Sequence, residues 1–242
     1  MTGTFYTIGV GPGDPELITV KAARLIGCAP VVAYFAKRGK VGHARMIAAS
    51  YVSATSELLR LDYPFTTEIP FADSPYQTGM RQFYDDSAAT IASYLDNGKD
   101  VALLCEGDPF FYGSSMYIFD RLEEAGYPIE IIPGITGMSG CWTRARLPML
   151  HGDDVMSVLP ATLPEADLTV RLRACDAAVI MKVGSNLPQV RRALAQAGMM
   201  DRAVYVERGT MAEERILRLT EFDQDSAPYF SLVLVPGRSA AR

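Results

Sequence analysis

The chain is poor in the residues that most often carry metal and redox chemistry. It has two histidines, His43 and His151, neither with a neighbouring set of ligands, so a protein-held catalytic metal is not expected. Its cysteines, Cys28, Cys105, Cys141 and Cys175, are scattered with no CxxC pair, which excludes a zinc ribbon and a dense disulfide framework and leaves buried thiols. Long apolar runs are also missing. No window of about 18 uncharged apolar residues occurs, and the opening stretch MTGTFYTIGVGPGD has no basic region leading into an apolar one, so no membrane association and a cytoplasmic setting are expected. Positive charge is in deficit, with 23 basic against 28 acidic residues and a formal net charge of −5. That balance argues against a broad nucleic-acid contact.

One local exception stands out. The stretch KRGKVGHAR at 37–45 places Lys37, Arg38, Lys40 and Arg45 together without a carboxylate, a surface suited to an acidic small molecule or simply a solvated face. What remains is ordinary for a globular protein: 242 residues, 49% apolar and 21% charged, enough for one large α/β domain or two.

Apolar runs and helical spacing alternate through the first 140 residues. Strands are expected at 5–10, 30–36, 57–65, 101–105 and 129–132, with helices after the first, over 44–56, over 80–97 and over 116–125. The segment 66–79, with Pro70, Pro75 and Gly79, reads as an irregular polar connection. Such alternation predicts a mainly parallel sheet covered by helices, with ligands gathering at the carboxyl ends of its strands. The last hundred residues carry strand candidates at 155–159, 177–183, 203–207, 215–219 and 229–235 with two clear helices among them, the pattern of a second, mixed-sheet α/β domain. The boundary is expected where LPMLHGDD breaks the periodicity, giving domains 1–143 and 144–242, and the tail GRSAAR at 237–242 is expected to fray.

Three glycine-containing loops follow strands: GVGPGD at 9–14, EGDPFFYGS at 106–114 and PGITG at 133–137. The first is not a dinucleotide fingerprint, because the third glycine of GxGxxG would fall at Asp14, whose carboxylate would repel a pyrophosphate. This disfavours a nucleotide-dependent oxidoreductase. Each loop taken singly is compatible with a plain turn, and Phe110, Phe111 and Tyr112 with core packing.

Their order and separation, together with VERGT at 206–210, resemble the class III, or tetrapyrrole, methyltransferase family over nearly the whole chain. Within it, YFAKRG at 34–39, LDYPFT at 61–66 and IMKVGSN at 180–186 look most like the methyltransferases that act on carbon 20 of precorrin-2 in cobalamin synthesis. The resemblance implies S-adenosyl-L-methionine as methyl donor, clamped between two α/β domains of a homodimer beside a tetrapyrrole trough. It also implies cofactor contacts at Pro12, Glu106, Gly107, Asp108, Phe111, Thr136 and Gly137, and at Met181, Lys182, Gly209 and Thr210, many of them through main-chain atoms.

Lys37, Arg38, Lys40 and Arg45 are then candidates for the substrate carboxylates, with Arg144 and Arg146 next. Tyr34 and Tyr112 are candidate catalytic groups that orient the ring or take up a proton. Tyr34 stands where uroporphyrinogen methyltransferases of the family carry an aspartate, which counts against that earlier step. A cobalt-containing substrate, another methyltransferase of the family, one acting on RNA, and a non-catalytic cofactor-binding module remain alternatives, with YFAKRG favouring the metal-free substrate.

Overall fold

The computed structural model of the chain describes residues 1–65 and 74–237. It divides into two compact units, Met1–Gly137 and Met138–Arg242.

In the first unit five strands form one parallel sheet: β1 (Phe5–Gly9), β2 (Val31–Lys37), β3 (Glu57–Tyr63), β4 (Val101–Cys105) and β5 (Ile129–Ile132), in the order β3-β2-β4-β1-β5. The period of two sends alternate side chains to opposite faces. Ile8, Val32, Tyr34, Ala102 and Leu104 pack on one face with α1 (Val20–Cys28) and α2 (His43–Ile47). Phe5, Val31, Ala33, Val101 and Leu103 pack on the other with α3 (Ser74–Asp96) and α4 (Ser115–Glu124). The connection from β1 travels one way to β2, while that from β4 travels the other way to β5. These two adjacent strands therefore release their chains to opposite sides, the topology that opens a crevice at their carboxyl ends.

The second unit takes in α5 (Gly137–Arg144) from Met138 onward, whereas the expected boundary leaves all of that helix but Arg144 in the first domain. Cys141, Met138 and Trp142 of this helix pack into the cluster of Val179, Val206 and Leu234, which ties it to the second sheet. That sheet is mixed, ordered β6-β7-β10-β8-β9 from β6 (Met156–Pro160), β7 (Ala177–Met181), β8 (Val204–Glu207), β9 (Arg215–Arg218) and β10 (Ser231–Val235). On its other face α6 (Glu165–Arg173) and α7 (Leu187–Gln196) bury Leu168, Leu172, Val190 and Leu194 against Ile180 and Val233.

Three expectations change. The helix expected over 44–56 stops at Ile47: beyond it the chain runs through turns, with the Ala49 amide on the Met46 carbonyl at 3.2 Å and the Tyr51 amide on the Ala48 carbonyl at 3.0 Å, and Ser53 then accepts from the Thr55 amide at 3.2 Å. The connection expected over 66–79 is helical from Ser74 onward, while 66–73 lie outside the described residues. Pro75 sits at the second helical position, where its missing N–H costs nothing. Gly79 makes room for a ring: a Cβ there would approach Phe65 Cε2 to 2.5 Å. Of the tail expected to fray, Gly237 is anchored by its amide to the Met149 carbonyl at 2.8 Å, and 238–242 lie outside the described residues. Among the described residues no helix is long and apolar enough to cross a membrane, and no cluster of potential metal ligands occurs.

Candidate functional site

At the carboxyl edge of the parallel sheet the first two loops are joined by a short antiparallel bridge. The Gly107 amide donates to the Gly11 carbonyl at 2.9 Å and the Gly11 amide to the Gly107 carbonyl at 3.3 Å. Both residues have positive φ, 77° for Gly11 and 65° for Gly107, a conformation glycine adopts without steric cost.

The third loop closes on the same point. Asp108 accepts from the Gly134 amide at 3.1 Å through Oδ2 and from the Phe110 amide at 2.9 Å through Oδ1. Its carboxylate is thus spent on joining loops, and its carbonyl accepts from the Phe111 amide at 3.2 Å. A Cβ on Gly107 would face the Gly137 amide at 3.5 Å and Thr136 Cα at 3.8 Å, so Gly107, Thr136 and Gly137 are neighbours. Asp14 turns inward as well, capping the single turn Pro15–Leu17 by accepting from the Glu16 amide at 2.9 Å.

Glu106 follows β4 directly. In register with the end of β2, it falls on the face that carries α2. It is accessible to solvent yet flanked by enough protein to raise its carboxyl pKa, against the smaller opposing pull of the Ala44 amide. The neighbouring Cys105 thiol is pushed up to about 11 by burial, which keeps it protonated and inert at neutral pH.

Lys37, Arg38 and Lys40 are exposed in the turn that ends β2, closed by the Lys40 amide on the Lys37 carbonyl at 2.9 Å. Arg45 lies half-buried on α2, and its Nε is buried with no hydrogen-bond acceptor among the described residues. Tyr34 is buried in the apolar cluster beneath α2, where a Cβ on Gly42 would meet its ring at 3.0 Å. Tyr112 is half-exposed on the second loop, edge-on to Phe111 at 5.0 Å, and takes a left-handed φ of 57°.

In the second unit Met181 ends β7 and Lys182 follows it, and Gly209 and Thr210 follow β8. Because β10 is antiparallel to both strands, β7 and β8 run the same way and their loops leave one edge, two strand spacings or roughly 10 Å apart. Lys182, Arg208 and Thr210 have φ of 56°, 48° and 70°. With Tyr112 they make four of the five non-glycine residues at positive φ among the described residues, all four in loops that follow strands. Strain of this kind collects at functional sites.

The turn after β8 is held from several sides. A Cβ on Gly209 would sit 2.5 Å from Cys141 Sγ, and the Arg208 amide donates to the Phe230 carbonyl at 2.8 Å. Glu214 accepts from the Thr210 amide at 2.8 Å and from Arg144 Nε at 2.8 and 3.0 Å. Arg144, a second-rank candidate for substrate carboxylates, is therefore engaged by a carboxylate of this chain. Glu214 escaped the sequence reading; its only signal is an acid four residues after the threonine of VERGT.

Comparison with known proteins follows the same lines. The family model described as tetrapyrrole (corrin/porphyrin) methylases matches residues 4–223. A precorrin-2 C(20)-methyltransferase from Sinorhizobium sp. is 54% identical over 97% of this chain and 96% of its own length. A cobalt-precorrin-2 C(20)-methyltransferase from Salmonella typhimurium is 30% identical over 97% of each. Among solved structures, a cobalamin biosynthetic enzyme, cobalt precorrin-4 methyltransferase, superposes with a TM-score of 0.74 over 96% of this chain and 94% of its own, at 24% identity.

Proposed function

We propose for this chain, which belongs to the tetrapyrrole (corrin/porphyrin) methylase family, the activity of a precorrin-2 C(20)-methyltransferase. It transfers the methyl group of S-adenosyl-L-methionine to carbon 20 of precorrin-2, on the route to cobalamin. The observation that carries this reading is the 54% identity to such an enzyme over almost the full length of both chains, against 30% to the cobalt-precorrin-2 enzyme.

The residues of both units fit the donor by their chemistry. A polar, elongated molecule needs main-chain donors and acceptors brought close, which the glycine-rich loops around Pro12, Glu106, Gly107, Asp108, Phe111, Thr136 and Gly137 supply. Met181, Lys182, Gly209 and Thr210 are the contacts assigned in the second unit. S-adenosyl-L-methionine supplies a methyl already activated on a sulfonium. The chain's task is to hold carbon 20 in line with the sulfur–methyl bond and keep water out, an alignment worth about 7–11 kcal/mol of barrier. A new carbon–methyl bond replaces the sulfur–methyl bond, S-adenosyl-L-homocysteine departs, and a proton then leaves the ring.

Lys37, Arg38, Lys40 and Arg45 are assigned to the substrate carboxylates. Their clustering without a carboxylate, three of them exposed in the turn after β2 and Arg45 half-buried on α2, supports this. Tyr112, half-exposed on the second loop, is better placed than the buried Tyr34 to touch the ring or receive its proton. The same reading includes a cytoplasmic homodimer, supported by Phe110 and Tyr117, which each leave 45% of their surface exposed, and checked by light scattering in solution.

The deciding experiment offers the purified protein precorrin-2 and its cobalt counterpart separately, each with S-adenosyl-L-methionine, and weighs the products. One added methyl on the metal-free substrate is expected. Methylation of the cobalt substrate alone, or of neither, would overturn the assignment.

A further inference from the structure

We propose that Arg144 and Glu214 form a clasp that sets the Arg208–Gly209–Thr210 turn in the shape that receives S-adenosyl-L-methionine, which makes Glu214 a positioning residue for methyl transfer. The proposal rests on the assignment of Gly209 and Thr210 as cofactor contacts.

The turn is improbable on local grounds. Arg208 and Thr210 both adopt left-handed backbone, and Thr210 is β-branched, so the conformation persists only where its surroundings enforce it. Enforcement comes from helix α5 at two points. Cys141 presses against Gly209 so closely that any side chain there would collide with its Sγ. Arg144 lies three residues further on, hence on the same face of the helix. Its Nε donates to both oxygens of Glu214, whose Oε2 also accepts from the Thr210 amide at 2.8 Å.

Glu214 is well shielded, with 16% of its side chain exposed, whereas the adjacent Glu213 keeps 76% exposed and pairs with Arg208. The carboxyl pKa of Glu214 is held below its ordinary value, chiefly by Arg144 and secondarily by the Thr210 amide. The clasp is therefore charged and intact throughout the neutral range. A carboxylate accepting from both a guanidinium and a main-chain amide fixes the direction of that amide, and with it the Gly209 carbonyl in the same peptide plane.

The test measures S-adenosyl-L-homocysteine binding by calorimetry together with separate KM values for the two substrates. Glu214→Ala is expected to weaken S-adenosyl-L-homocysteine about 10-fold and to raise the KM for S-adenosyl-L-methionine in proportion. The KM for precorrin-2 should stay within about two-fold of wild type. Glu214→Gln retains an oxygen for the Thr210 amide and should recover most of the loss. Should Glu214→Ala not fold, Arg144→Ala, which removes a largely exposed side chain, decides the matter: several-fold weaker S-adenosyl-L-homocysteine binding with precorrin-2 KM unchanged is the expected result. Wild-type S-adenosyl-L-homocysteine affinity in either folded alanine variant would overturn the clasp, as would a rise confined to precorrin-2 KM. Failure of the wild-type protein itself to bind S-adenosyl-L-homocysteine would instead bring down the methyltransferase reading, and the clasp with it.

Discussion

Gly9 closes β1 at the point where the second and third loops converge, and replacing it with alanine tests whether those loops are packed main chain to main chain. A Cβ at Gly9 would lie 2.6 Å from the Gly107 carbonyl oxygen, 2.6 Å from the Gly134 nitrogen and 2.7 Å from Gly134 Cα. Ordinary contact begins near 3.4 Å, so the two loops must each retreat by about 0.8 Å. No side-chain rotation can absorb the clash, because every atom met is backbone. The Gly11–Gly107 bridge and the Asp108–Gly134 bond resist the retreat. Overpacking of this kind costs about 1–3 kcal/mol, a Tm lowered by roughly 3–10 °C for a chain of this size. Function should suffer more than stability, since a misplacement approaching 1 Å is worth about 100-fold in rate. Calorimetric denaturation and kcat/KM on precorrin-2 provide the readouts. Gly27→Ala is the control: it lies in α1, its Cβ would meet only the Tyr51 carbonyl at 3.4 Å, and it should be neutral or stabilising by up to about 1 kcal/mol. If Gly9→Ala matched wild type in both Tm and kcat/KM, the three-loop packing described above would be wrong.

Two further outcomes are expected. Combined replacement of Arg38 and Lys40 by alanine should raise the KM for precorrin-2 by about 10-fold, more at low salt than at high, with S-adenosyl-L-homocysteine affinity unaltered; unchanged kinetics would remove the patch from the site. Of the four thiols, the exposed Cys28 should react readily with iodoacetamide in the native protein at pH 8, whereas Cys105 and Cys141, whose thiols burial pushes up to about 11 and about 12, should react only after denaturation. Mass mapping that found either of these two modified in the folded state would contradict the packing of α5 on Gly209 or of β4 behind its loop.

The parallel sheet was legible because its strands are short and its central ones, β1, β2 and β4, are buried on both faces. VALLC at 101–105 and the run at 129–132 occupy the positions their apolar patterns assign, with no room for a competing helix. Legibility failed where a residue's usual meaning was displaced by packing. Gly79 and Pro75 read as breakers, yet one receives a ring and the other sits where a helix tolerates proline. The site was legible in proportion to its glycine content. GVGPGD, EGDPFFYGS and PGITG announce close backbone approach because glycine permits conformations other residues avoid, whereas Glu214 shows itself only through what it touches.

That contrast exposes two ways of preparing backbone for a ligand. The first unit uses residues without side chains: Gly9, Gly11, Gly107 and Gly134 let three loops meet at main-chain distance, and Asp108 ties the second to the third. The second unit uses ordinary residues forced into left-handed backbone, and two of them, Lys182 and Thr210, are held from four positions downstream. Asn186 donates through Nδ2 to the Lys182 carbonyl at 3.2 Å, and Glu214 accepts from the Thr210 amide. Glycines achieve close approach at the expense of unfolded-state entropy, and a substitution fails by collision. Clasped residues store conformational strain, and they fail when the clasp is released although nothing collides. Damage at Gly9 should therefore be rescued by no neighbouring change of similar size, whereas damage at Glu214 should be largely reversed by glutamine, the residue that restores the acceptor without the charge.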